Sequence, residues 1–311
     1  MRIATSSFPD SFIYNTNQLQ SQQNVLQNEA STGLQFTQAQ DNPGAMSQAL
    51  EVQADSSANT QYQTNISQLQ DSATTSYNAL NSLQTLVSQA ASIAAGSGTA
   101  GTQQLTSDAT EISGIIQQAL QLANTQDSQG NYIFAGTNVT TPPFAATTDA
   151  NGNVTGVTYQ GNTSVAQSEI APGVTVSAQT LGSNTSGTGP RGLITDSRYG
   201  ADLFNHLISL QNNLSSGNTT AVNTTDLQAL TKDENNIAYQ VGSNGVVQSN
   251  LTNAGSLETQ QGTNLTAQMS NLTSANLATT LTHLQQVQTS YQAALQSGVL
   301  VMQLSMMNYM Y

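Results

Sequence analysis

Three glycines in this sequence have the spacing of a nucleotide-binding loop. Gly96, Gly98 and Gly101 match the glycine pattern of loops that bind dinucleotides. Such a loop follows a strand, and an acidic residue about 20 positions later binds the ribose. Here the preceding residues have helical spacing, and no acidic residue stands at that distance. We therefore interpret the three glycines as part of a turn between two helices.

A second pattern resembles the first half of a calcium-binding loop. Asp149, Asn151 and Asn153 alternate as the first ligands of such a loop do. However, Val154 stands where the loop requires glycine, and Gln160 stands where a bidentate glutamate is required. We interpret this stretch as the turn of a β-hairpin.

The remaining titratable residues are too scattered to form a reactive site. His206 has Asp202 one helical turn before it but no third ligand nearby, and His283 has no candidate partner. Asp233 and Glu234 form an adjacent carboxylate pair, which is more typical of a solvated helix face than of acid–base catalysis. The sequence predicts a protein that is not an enzyme and that has no cofactor and no metal site.

The composition excludes two further classes of function. Charged residues make up 7% of the 311 residues, against about a quarter in ordinary domains, and the formal net charge is −13. The four basic residues are too few for binding nucleic acid or an anionic membrane surface. No apolar run is long enough to span a bilayer, and the N-terminus lacks the apolar segment of a secretory signal peptide.

The element that most needs a partner is the last helix. Its large apolar residues recur every three or four positions, which places them on one helix face. They are Leu277, Leu281, Leu284, Val287, Tyr291, Leu295, Val299, Met302, Met306 and Tyr309. Such a helix cannot cover this face alone, so it must pack against another helix of this chain or of another.

The first segment has a weaker apolar face. Phe12, Leu19 and Leu26 repeat every seven residues, but the positions between them include Thr16 and Gln23. Because a helix with so few apolar residues is marginal in water, we expect residues 1–42 to be disordered in the isolated monomer. Pro43 is well placed as the first residue of the next helix.

Strand and turn signals between residues 130 and 195 interrupt the helical pattern. The sequence therefore predicts an α+β protein, with an elongated helical bundle or coiled-coil rod built from both chain ends and a small inserted β domain. The predicted segments are an N-terminal assembly segment (1–42), the two halves of the rod (43–129 and 196–285), the β insert (130–195) and a C-terminal assembly helix (286–311).

Several short motifs resemble the flagellar hook-associated protein 3 family, within the flagellin-like proteins. They are residues 1–5, 31–33, 41–45, 130–137 and 303–310, and residues 281–295 resemble the last heptads of that family. The run from Gly130 to Thr137 is the most specific of them, because it separates this family from flagellin proper. The chain departs from the family pattern at Leu34–Phe36, where basic residues are usual, and at Asn276, where an acidic residue is usual.

The resemblance implies a structural protein at the junction between hook and filament of the bacterial flagellum. Members are secreted unfolded through the flagellar type III export channel, and they assemble at the tip through their terminal helices. It also implies partners: further copies in a helical ring, a neighbouring hook-associated protein, flagellin and, as a further candidate, an export chaperone. The assembly interface would contain Phe12, Leu19, Leu26, Leu284, Tyr291, Leu295, Met302 and Tyr309.

Two other functions remain open at this stage. A flagellin would polymerise alone into long filaments, so copy number separates it from a junction protein. A secreted coiled-coil adhesin or effector would be a fully folded monomer with a ligand pocket in residues 131–190.

Overall fold

The computed structural model describes the backbone of residues 7–309 and the side chains of residues 10–303. Within that range, seven helices flank a region of short strands, in the order helices, strands, helices. The helices are α1 (Ser7–Thr32), α2 (Pro43–Gly96), α3 (Thr102–Ala123), α4 (Leu203–Ser215), α5 (Thr219–Ala221), α6 (Leu227–Thr273) and α7 (Leu277–Tyr309). The strands are β1 (Phe144–Thr148), β2 (Val154–Tyr159), β3 (Ser168–Ala171), β4 (Val174–Val176), β5 (Leu181–Asn184), β6 (Gly192–Asp196) and β7 (Ala201–Asp202).

The chain divides into two compact units. The first unit combines the residues up to Ala58 with those from Gln261 onwards, and it contains α1 and α7. The second unit runs from Asn59 to Gln260 and contains α3, α4 and all of the strands. The predicted fold class is confirmed as α+β, a helical bundle built from both chain ends with a small inserted β region.

The main hydrophobic core lies in the second unit. It is formed by aliphatic residues that recur on one face of α2, α3 and α4, and α3 packs directly against α4. Its fully buried side chains include Leu80, Leu83, Ile112, Ile116, Leu203, Leu207 and Leu210. The β region contributes Phe134 and Phe144, and the ring of Phe144 lies 5.7 Å from that of Phe204.

The β region consists of two hairpins and one three-stranded sheet. β1 and β2 pair antiparallel, as do β3 and β4, while β6 lies between a parallel β5 and an antiparallel β7. The turn between β1 and β2 is the stretch that mimics a calcium loop. Its Asp149 carboxylate instead accepts hydrogen bonds from the backbone N–H groups of Asn151 and Asn153, both at 2.9 Å. These bonds lower the pKa of Asp149, and Gly152 completes the turn with a φ of 84°.

Local sequence signals explain two helix boundaries. Asn42 precedes Pro43, and its side-chain oxygen accepts a hydrogen bond from the backbone N–H of Ala45 at 3.1 Å, which caps the start of α2. Gly96 ends α2, a single 3-10 turn follows over Ser97–Thr99, and α3 begins at Thr102. The glycines of the nucleotide-loop pattern therefore lie between two helices, as we interpreted them.

Two predicted segment boundaries do not coincide with the ends of helices or strands. The strands continue past residue 195 to Asp202, because β7 is too short for an alternating pattern to reveal it. The division at residue 285 between the rod and the C-terminal assembly helix lies inside α7 and stays a prediction, while the helices are interrupted at residues 274–276. There Ser274 forms an isolated antiparallel bridge with Leu34, a partner that no local pattern indicates.

The N-terminal segment is helical in the structure from Ser7 to Thr32, and α7 packs along it. The weak apolar face of α1 thus has a partner within the same chain. The expectation that residues 1–42 become ordered only on assembly stays a prediction.

Candidate assembly interface

One face of α1 packs against α7, and it is half polar. Phe12, Leu19 and Leu26 lie on this face, each half-buried, with Thr16 and Gln23 between them. The hydroxyl group of Thr16 donates to the backbone oxygen of Phe12 at 2.9 Å, so this polar group is satisfied inside the helix. The face follows the seven-residue repeat that the sequence predicted, including its polar positions.

The matching face of α7 is built from smaller side chains than we expected. Its buried or half-buried members are Thr280, Leu284, Val287, Gln288, Tyr291, Ala294 and Gly298. Gly298 lies directly beneath the ring of Phe12, because a Cβ atom added to Gly298 would overlap that ring. The ring therefore fills the space that the missing side chain leaves.

Polar contacts continue the pairing at the other end of the two helices. The hydroxyl group of Thr280 donates to Glu29 at 3.4 Å. Beyond them, the linkers cross: the backbone N–H of Gln35 donates to the oxygen of Thr273, and that of Ala275 donates to the oxygen of Gly33, both at 2.8 Å. These bonds satisfy backbone groups that a helix end leaves unpaired.

The two departures from the family pattern meet at this crossing. Leu34–Phe36 lie beside the linker that ends at Asn276, and the side chain of Phe36 is buried. In the first turn of α7, the side-chain oxygen of Asn276 accepts a hydrogen bond from the backbone N–H of Thr279, and its backbone oxygen accepts one from the N–H of Thr280. The departure at Leu34–Phe36 therefore supplies a buried apolar side chain, and the departure at Asn276 supplies a helix cap.

The residues that the sequence predicted for the interface divide into two groups. Five of them lie half-buried on the α1–α7 contact: Phe12, Leu19, Leu26, Leu284 and Tyr291. Leu295 and Met302 lie outside it, with 42% and 53% of their surface exposed. Tyr309 ends α7, and its side chain lies outside the described part of the chain.

The predicted residues divide in this way because two neighbouring faces of α7 both have residues at helical spacing. After Tyr291 the large apolar residues continue at Leu295, whereas the face in contact with α1 continues at Ala294 and Gly298. We followed the large side chains, but a close helix contact needs small ones. A search for Ala, Gly and Thr at the same spacing would have indicated Thr280, Ala294 and Gly298.

An exposed apolar surface remains on the paired helices. On α7 it comprises Leu277, Leu281, Leu295, Val299, Leu300 and Met302, and on α1 it comprises Ile13, Tyr14 and Val25. We call these nine residues the exposed apolar surface. A groove beside it, between the two helices, is lined by Val25, Leu26 and Val287, with His283 at its exposed rim. Several exposed apolar side chains on two adjacent helices favour contact with another protein.

His206 and Asp233 form a pair that the sequence analysis did not predict. Nδ1 of His206 lies 2.7 Å from Oδ2 of Asp233, whose side chain is fully buried, and the other oxygen of Asp233 accepts the backbone N–H of Asp202 at 2.9 Å. The neighbouring carboxylate, Glu234, accepts a hydrogen bond from Ser88 instead. Among the described residues, no three His, Cys, Asp or Glu side chains come together as metal ligands would.

Burial and pairing shift both pKa values. Burial raises the pKa of the Asp233 carboxyl group, although the hydrogen bond with His206 acts in the opposite direction. Burial of the imidazole lowers the pKa of His206, but the hydrogen bond and the negative charge of Asp233 outweigh it. The pKa of His206 is therefore raised above its usual value of 6.5.

A His206→Gln substitution is expected to lower the free energy of unfolding by about 1–3 kcal/mol near pH 6, because it leaves Asp233 buried without its cation. A raised imidazole pKa contributes stability that is fully present below the pKa of the unfolded chain and is lost as the pH rises through the folded pKa. The loss should therefore shrink by about pH 9. Denaturant unfolding at both pH values checks this, with His283→Gln at an exposed position as the control. An equal loss at both pH values would contradict it.

Comparison with known proteins shows what parts of this chain are similar to. Residues 10–139 match the model of the bacterial flagellin N-terminal helical region. The chain is 31% identical over 163 residues to the flagellar hook-associated protein 3 of Salmonella typhimurium. That alignment covers 51% of each protein, so the chain spans about half the length of the curated relative that it matches.

Solved structures share the fold at low sequence identity. A flagellar hook-associated protein-3 from Legionella pneumophila is 14% identical, with a TM-score of 0.60 over 71% of this chain and 98% of that one. FlgL from Bacillus cereus is 18% identical, with a TM-score of 0.55 over 71% of this chain and 99% of that one. No helix within the described residues is both long and apolar enough to cross a membrane. The resemblance found in the sequence is confirmed: this chain is similar to flagellar hook-associated protein 3, and its N-terminal part matches the flagellin helical region.

Proposed function

We propose that this chain is a structural subunit at the junction between hook and filament of a bacterial flagellum, where it assembles through α1 and α7. The observation that supports this most is the exposed apolar surface on the paired terminal helices. It belongs to a chain that is similar to a hook-associated protein, and it lies on the elements whose sequence needs a partner.

The physical basis is burial of apolar area without burial of charge. The side chains of the exposed apolar surface are already about half covered, so each one that a partner covers completely contributes roughly 1 kcal/mol, about half the value for full burial. Burying an unpaired charge would cost several kcal/mol, and only 7% of the chain is charged. Neighbouring subunits can therefore pack closely over long stretches of Ser, Thr, Asn and Gln side chains.

The partners in this proposal are further copies in a helical ring, a neighbouring hook-associated protein, flagellin and, before secretion, an export chaperone. The site of action is the extracellular flagellum. The role is structural rather than catalytic, and it involves neither nucleic acid nor a membrane. Phe12, Leu19, Leu26, Leu284 and Tyr291 hold the two helices together, while Leu295, Met302 and Tyr309 contact neighbours.

Deletion of the gene tests the proposal. We expect cells that keep their hooks, lack filaments and release unassembled flagellin into the medium, because the filament has no junction on which to grow. A plasmid copy of the gene should restore the filaments. The protein that it encodes should be found in purified hook–filament preparations. Normal filaments in the deletion strain would contradict the proposed function.

The match to the flagellin helical region favours a second candidate, a filament subunit. A filament subunit would be present in thousands of copies per flagellum and would grow long filaments from purified protein, whereas a junction subunit would be present in one or a few rings. Quantification of the chain in isolated flagella separates the two.

A further inference from the structure

The positive charge of this acidic chain is concentrated in one place. The sequence has four Lys and Arg residues against 17 Asp and Glu, and three of the four lie together in the second unit. The fourth, Arg2, lies outside the described residues. Cζ of Arg191 lies 3.5 Å from the ring centroid of Tyr199, and Cζ of Arg198 lies 5.6 Å from the same centroid. Lys232 lies over Gly200, which follows Tyr199.

The cations in this cluster are not equally engaged. Arg198 forms an ion pair with Asp196 at 2.8 Å, and Nη1 and Nη2 also donate to the backbone oxygens of Gly189 and Pro190. It ties the loop after β6 to the loop between β5 and β6. Lys232 forms no ion pair with any described residue.

Arg191 has a different arrangement. Its Nε donates to Asn236, while its guanidinium plane lies between Tyr199 and Tyr239, with Cζ 4.3 Å from the second ring. Neither Nη atom makes a hydrogen bond within the described part of the chain. The planar end that binds carboxylates in a bidentate manner is thus unused.

The two tyrosines indicate that this arrangement serves the surface rather than the core. Tyr199 is 50% exposed and Tyr239 is 53% exposed, so the rings contribute little to core packing. They do fix the guanidinium group by cation–π contact. A group that is already held in place loses less conformational entropy when it binds a ligand.

The acidic groups near the cluster are already engaged. Asp196 is buried against Arg198, and Asp233 is buried against His206. The carboxylate of Asp202 accepts hydrogen bonds from Thr195 and Asn205. Arg191 and Lys232 therefore present positive charge that no described carboxylate neutralises by contact.

We propose that Arg191 and Lys232 form a carboxylate-binding site that receives an Asp or Glu side chain from a second copy of this chain. The inference rests on the proposed function, in which copies lie side by side. Each copy has a net charge of −13, so adjacent copies repel each other, and the charged groups of a neighbour are mostly carboxylates, with 17 Asp and Glu against four Lys and Arg. A single site of opposite charge offsets part of this repulsion and fixes the register between neighbours.

A photocrosslinking experiment on assembled flagella tests the site. The chain contains no cysteine, so a single Asn235→Cys substitution gives one reactive position. Asn235 is exposed and lies on the same face of α6 as Lys232 and Tyr239, three and four residues away. We would label it with a thiol-reactive benzophenone after isolation of the flagella and then map the adducts.

The expected product is a dimer of this chain, joined to a peptide that contains Asp or Glu. Arg191→Gln and Lys232→Gln should each lower its yield by about tenfold, since each removes one charged partner of the carboxylate. Gln118→Glu is the matched control, because it changes the net charge by the same amount at an exposed position on α3. It should leave the yield unchanged. Arg191 is half-buried, so Arg191→Gln could fail to fold. Lys232 is exposed, so Lys232→Gln tests the site without that risk.

The outcomes separate this inference from the proposed function. If the labelled chain is present in flagella but crosslinks to another protein, to a peptide without a carboxylate, or equally well without Arg191 and Lys232, the carboxylate site is wrong and the junction role stands. If a strain whose only copy of the gene encodes Asn235→Cys grows normal filaments from which the chain is absent, both are overturned.

Discussion

A Gly298→Val substitution is expected to separate α1 from α7 and to remove the chain from the flagellum. The ring of Phe12 occupies the space above Gly298, and a β-branched side chain there would overlap it. Overpacking of this kind costs about 1–3 kcal/mol. The pair has little stability to lose, because Thr16 and Gln23 lie on the same contact face of α1.

The amount of the chain in isolated flagella and the motility of cells measure this result. Gly298→Ala should have a smaller effect, since the overlap involves the far end of a flexible side chain.

The matched control is Gly245→Val in α6, a helical glycine with open space where the new side chain would lie. It makes the same change of residue type in a helix, and valine has a higher helix propensity than glycine, so stability should be maintained or slightly increased. Equal loss of motility in both variants would mean that the position of the glycine does not matter. Normal motility in Gly298→Val would mean that the α1–α7 contact is not needed for assembly.

A Leu295→Asp substitution is expected to block assembly while leaving the monomer folded. Leu295 is 42% exposed and lies beside the face that contacts α1, so a polar replacement should change the free energy of unfolding by about 0.5 kcal/mol or less. In an assembled flagellum the same position would be covered by a neighbour, and an unpaired buried carboxylate there costs several kcal/mol.

The measurements are the melting temperature of the purified protein and the amount of the chain in isolated flagella. Gln296→Asp introduces the same charge one residue further along α7 at an exposed polar position, and it should assemble normally. Working filaments built with Leu295→Asp would show that the exposed apolar surface is not an assembly surface at this residue.

The sequence alone determined the features that depend on neighbouring residues. Asn42 and Pro43 define the start of α2, and Asp149 and Gly152 define the first hairpin turn, because caps and turns are formed by side chains within a few positions of each other. Apolar residues at intervals of three or four predicted α7 for the same reason. The absence of cysteine and the low charge could be counted directly.

Tertiary structure decided which residues meet across the fold. The spacing on α7 was compatible with two adjacent faces, and only the position of α1 selects the one that contains Ala294 and Gly298. The break before α7 depends on a bridge between Leu34 and Ser274, which come from opposite ends of the chain.

The same applies to the charged pairs. His206 reaches Asp233 on another helix, and Arg191 lies between Tyr199 and Tyr239, which belong to different elements. A repeating pattern shows which face of an element is buried, but it does not show which element covers that face. The identity of the partner depends on how helices and strands that are distant in sequence pack together, and no interval between residues records that.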